Sequence, residues 1–149
     1  MNKSVTPILL ATLLTSTHAL GSECNLQPLA KRWQSAEYVF SGTVTHHEKH
    51  AELSGKWCET EGPSCGAKLA TLEVDKVWKG TIPKHMVNVF SEDACYCLGT
   101  YFKTGTRYIV FGTPVSTQND LINDLGACHT TQFHIDLQNQ LDQLAQPGE

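Results

Sequence analysis

The alternation of apolar and polar positions is sharpest in residues 69–80, LATLEVDKVWKG. Leu72 and Val74 alternate with Thr71, Glu73 and Asp75, the two-residue period of a half-buried strand. At Asp75 and Lys76 the alternation slips by one residue. Val77 and Trp78 then stand side by side, and Gly80 ends the run. One surplus residue in an otherwise strict alternation predicts a β-bulge. A long bulged strand can serve two sheet layers at once, as small closed barrels require. The alternative is two short strands joined at a kink.

Around this strand the pattern predicts the other elements. In residues 25–36, Leu26, Leu29, Ala30 and Trp33 recur at helical spacing, and Pro28 fits a first turn. Residues 38–46 predict a first strand with Tyr38, Phe40 and Val44 on one face. Gly42 shares that face, and a glycine inside a strand marks a bend or a close backbone approach. Residues 50–67 form a long loop rich in Glu, Gly, Ser and Pro. Residues 86–91 predict a third strand, with Val87 and Val89 on one side and Met86 and Phe90 on the other. A connector follows over 92–101. Residues 107–113 are apolar on both faces, which predicts a central strand. A weaker fifth strand is expected over 120–125. Phe133, Leu137, Leu141 and Leu144 repeat at helical spacing and predict a closing helix over 131–145. The order predicts a mainly β domain: a five-stranded OB-fold barrel with an N-terminal and a C-terminal helix.

Composition changes the picture at the N-terminus. Lys3 is the only charge before Glu23, and a short apolar run from Ile8 to Leu14 leads into small residues. Residues 1–21 therefore read as a secretory signal peptide, with cleavage after Ala19 or Gly21. The apolar run is too short to span a bilayer as a helix. Glu23 before Cys24 spoils a lipobox, so no membrane anchor is expected. Residues 22–149 form a single domain, secreted or periplasmic. Without Lys3 the chain keeps ten basic and fifteen acidic residues, a net charge near −5. It has no basic stripe, which argues against nucleic acid or anionic lipid as partner.

All six cysteines, Cys24, Cys58, Cys65, Cys95, Cys97 and Cys128, follow the signal peptide. Exported and even in number, they read as three disulfides. Cys58-x6-Cys65 and Cys95-x-Cys97 lack the knuckle spacing of structural zinc. A redox-active Cys95-x-Cys97 is the weaker alternative to structural cysteines in an exported chain. His46, His47 and His50 could surround Zn²⁺ or Cu²⁺ in a periplasmic metal-binding protein; the plainer reading is solvated histidines at a loop. Gly-x-Ser-x-Gly, His-Glu-x-x-His and Walker motifs are all missing from the sequence. A binding module ranks first, a metal carrier second and an enzyme last, and no cofactor is expected.

Four stretches then coincide. These are Phe40-Ser41-Gly42-Thr43-Val44, Val77-Trp78-Lys79-Gly80, the run from Phe102 to Val110 after Cys97, and Cys128 behind a short last strand. Together they resemble the netrin-like OB domain of the tissue inhibitors of metalloproteinases, especially its secreted bacterial relatives, over about residues 22–131. In that family a Cys-x-Cys opens the mature chain, and the first cysteine chelates the protease zinc through its α-amino and carbonyl groups. Here Cys24 corresponds to the second cysteine and Cys128 to its disulfide partner, while Ser22 stands in the chelating position. The resemblance also lays the loop carrying Cys58 and Cys65 beside the connector carrying Cys95 and Cys97, which implies two disulfides between them. It implies a metalloprotease, or another extracytoplasmic protein, as partner. The partner-facing edge would hold Ser22, Glu23, Cys24, Trp57, Cys95, Tyr96 and Cys97.

Overall fold

The computed structural model describes residues 25–49, 68–82, 84–91, 99–115 and 121–146. In chain order these form α1 (Leu29–Ser35), β1 (Tyr38–Lys49), β2 (Lys68–Lys79), β3 (Met86–Ser91), β4 (Arg107–Pro114), β5 (Leu121–Asp124), β6 (Thr131–Gln132) and α2 (Ile135–Leu144). The strands lie in the order β1-β2-β3-β5-β4, and β4 pairs back onto β1, so five strands close a barrel. Every pairing is antiparallel except β3 with β5. The fold is thus mainly β, an OB-fold-like barrel with flanking helices, as the strand pattern predicts.

The bulge falls where the alternation slips. Ser41 pairs with Lys76 and Gly42 with Val74, which leaves Asp75 as the surplus residue. Two further shifts leave over Trp78 on β2 and Thr45 on β1. The Thr45 hydroxyl donates to the Thr71 carbonyl, a side-chain bond beside the disrupted ladder. At Gly42 the backbones approach so closely that a Cβ would lie 2.8 Å from the Glu73 carbonyl oxygen. These irregularities bend the β1–β2 ribbon around the barrel.

Two apolar clusters result. Phe40, Val44, Ala70, Leu72, Val87, Val89, Phe102, Tyr108, Val110 and Ile122 fill the barrel interior. Ala36, Val39, Trp78, Ile109, Phe111, Leu137 and Leu141 form an outer cluster, joined by Leu29, Trp33, Leu125 and Phe133. β4 feeds both, Tyr108 and Val110 inward, Ile109 and Phe111 outward, which accounts for its apolar residues on both faces.

Three boundaries differ from the sequence expectation. β1 continues to Lys49, because its ladder with β2 runs on to Lys68. α1 starts only at Leu29, because Pro28, at ψ 142°, is its N-cap. Thr131 and Gln132 pair with Ile109 and Tyr108 as β6 instead of opening the closing helix. That helix starts after His134, whose Nδ1 accepts from the Leu137 amide. Leu137 and Leu141 are buried on it, whereas Leu144 is 43% exposed.

Candidate partner-binding edge

β5 ends at Asp124, and the chain turns outward before rejoining β4 as β6. Gly126, at φ +85°, permits this turn, and its carbonyl accepts from the amides of His129 and Thr130. Cys128 lies in the turn and is disulfide-bonded. The segment before α1 is fastened to the same place. The Gln27 amide donates to the Cys128 carbonyl at 2.9 Å, and Arg32 Nη1 donates to the His129 carbonyl at 2.9 Å. Arg32 is only 4% exposed, and its guanidinium lies 4.9 Å from the centre of the Phe111 ring. A buried guanidinium needs such partners, because water no longer solvates it.

The segment that leads into β4 is tied to the end of β3, where the Thr100 amide donates to Ser91 Oγ at 2.8 Å. Tyr101 is 72% exposed, with Lys68 Nζ 4.2 Å from its ring centre. Its backbone is pinned: the Tyr108 hydroxyl donates to the Tyr101 carbonyl and accepts from the Lys103 amide. Phe102 packs edge-on against Tyr108 beneath it, at 5.0 Å between ring centres. A solvent-facing aromatic on a fixed backbone is the kind of side chain that anchors protein interfaces.

Between the turn and this segment sits Asp124, 5% exposed. Its carboxylate accepts from the hydroxyls of Ser91 and Thr130. Burial pushes its pKa above the usual carboxylate range, while hydrogen bonds from Thr130, the Gly126 amide and Ser91 oppose the rise. Thr100 Oγ1 faces the carboxylate without a hydrogen bond of good geometry. Nearby, burial lowers the pKa of His129, so its imidazole is neutral at neutral pH.

The residues expected at the edge, Ser22, Glu23, Cys24, Trp57, Cys95, Tyr96 and Cys97, lie outside the described residues, and so do Cys58, Cys65 and His50. His46 and His47 are consecutive on β1, so their side chains leave opposite faces of the ribbon. His46 Nε2 lies 3.7 Å from Glu48, and His47 Nδ1 lies 2.9 Å from the Thr104 hydroxyl. Among the described residues, no group of three or more His, Cys, Asp or Glu side chains is placed to hold a metal ion. Arg32, Asp124 and His129 at the Cys128 turn, and the exposed Tyr101, are not among the residues that the sequence singles out. Only Asp124, an acid at the end of a short apolar strand, carried a sequence signal.

At the barrel end where β1, β3 and β5 begin, Tyr38, Ile82, Met86, Val87, Leu121 and Ile122 line part of a hollow of about 140 Å³. Comparison with family models and with curated proteins gives no match for this chain.

Proposed function

We propose that this protein is an exported, disulfide-stabilised OB-fold binding module that engages a zinc metalloprotease through its N-terminal edge. The carrying observation is the bond from Gln27 to Cys128, which holds the first described residues of the mature chain against the disulfide-bonded turn. A short N-terminal segment fixed to this turn, and an exposed Tyr101 on a pinned backbone, each offer a rigid, preorganised surface. The netrin-like motifs in the sequence support the choice of partner. In this reading cleavage after Gly21 frees the α-amino group of Ser22, whose amino and carbonyl groups approach the protease zinc. Cys24, linked to Cys128, anchors that residue in place of the first family cysteine.

The test is inhibition of secreted zinc endopeptidases by protein beginning at Ser22 and, in parallel, by protein retaining Gly21. The Ser22 form is expected to inhibit at least one of them with a Kd of about 1 μM or tighter, and the extra residue to weaken it at least about tenfold. Equal inhibition by the two forms, or none by either, would overturn the reading.

A further inference from the structure

We propose that Asp124 is the positioning residue of this edge: its one carboxylate holds the end of β3, the backbone at Thr100 and the Cys128 turn in a fixed relation to one another. Assigning this latch to partner binding rests on the function proposed above; the latch itself does not.

The direction of the hydrogen bonds singles out Asp124. Ser91 Oγ donates to Asp124 Oδ2 at 3.2 Å and accepts from the Thr100 amide at 2.8 Å. The Thr130 hydroxyl donates to Asp124 Oδ1 and accepts from the Phe111 amide at 3.0 Å. Each chain therefore runs from amide to hydroxyl to carboxylate. A hydroxyl has a single proton, and here both hydroxyls give theirs to Asp124. Only a group that accepts on both of its heavy atoms completes both chains. Asparagine presents an NH2 on one side, where the hydroxyl loses its acceptor.

The chains reach different parts of the molecule. Ser91 ends β3 and Thr100 begins the run to Tyr101. Thr130 closes the turn that carries Cys128, and Gln27 hangs from that turn. Among the described residues, His129 is the titratable group that interacts electrostatically with Asp124, and Arg32 and Lys31 act in turn on His129. Backbone bonds also hold the turn to β4, and the side-chain bonds that join it to Thr100 meet at Asp124.

Amide hydrogen exchange followed by NMR on the oxidised exported protein tests this without any partner. Asp124→Asn should raise exchange at least about tenfold at Thr100 or Phe111 and at Gln27, while β1 amides change less than about threefold. Thr130→Val, which keeps the carboxylate, should raise exchange at Phe111 and Gln27 but not at Thr100. If Asp124→Asn does not fold, Thr130→Val decides alone. An even rise across β1 to β4, or no change at Gln27, overturns the latch. If the wild type inhibits a zinc endopeptidase, Asp124→Asn should weaken that inhibition at least about tenfold, and undiminished inhibition overturns the positioning role. Exchange as expected with no inhibition by the wild type removes only the functional reading.

Discussion

The barrel interior and the flank beneath the helices are packed from similar apolar side chains but held by different means. Inside, Phe40, Val44, Leu72, Val89 and Val110 meet across strands already paired by backbone ladders. On the flank, polar side chains tie separate elements together. Lys79 Nζ donates to the carbonyls of Trp33 and Ala36, at 2.7 and 2.6 Å, which satisfies the end of α1. Trp78 Nε1 and Lys76 Nζ both bond Asp142 of α2. The Arg107 guanidinium lies 3.7 Å from the centre of the Phe133 ring. The interior is therefore specified chiefly by apolar pattern and backbone ladders, whereas the flank adds particular polar pairs far apart in sequence.

The largest effect is expected inside. Phe40 is fully buried, and Phe40→Ala should cost about 3–5 kcal/mol, read as a single cooperative transition in denaturant. On the flank, Leu137 is 2% exposed, and Leu137→Ala should cost about 2–5 kcal/mol, toward the lower end if the helix settles into the gap. An equal or larger loss at Leu137 would erase the distinction between the two regions.

How much of this was legible follows the same division. The slip at Asp75, the glycine at position 42 and the two apolar faces of β4 were readable because strand alternation records which side each residue faces. Thr131 and Gln132 were hidden inside a helical period, since two residues carry no period of their own and pairing with β4 decides them. The separation of His46 from His47 follows from strand alternation once β1 extends to Lys49. The Asp124 latch was not readable. Ser91, Thr100 and Thr130 look like turn formers in sequence, and their partner lies 6 to 33 positions away.

The smallest effects are electrostatic and have opposite signs. Lys76 and Trp78 hold the Asp142 carboxyl below the usual carboxylate range. Its contribution to stability is present above the unfolded pKa and is lost as pH falls through the lower folded value. Asp124 is raised by burial, so the folded state holds its proton more firmly than the unfolded state does. Its contribution is present at low pH and is lost as pH rises through the folded value. Denaturant midpoints measured from neutral pH down to about pH 3 should show the wild type losing its advantage over Asp142→Asn and gaining on Asp124→Asn. Parallel curves for the two variants would mean that neither carboxyl is perturbed as described.

The most direct measurement is a non-reduced peptide map of the protein as its host produces it, which gives its N-terminus and its disulfides together. The expected result is a chain beginning at Ser22 with Cys24 joined to Cys128, a link that should stabilise the fold by about 3–5 kcal/mol. Cys128 joined instead to Cys58, Cys65, Cys95 or Cys97, or a chain still carrying residues 1–19, would contradict the proposed N-terminal edge.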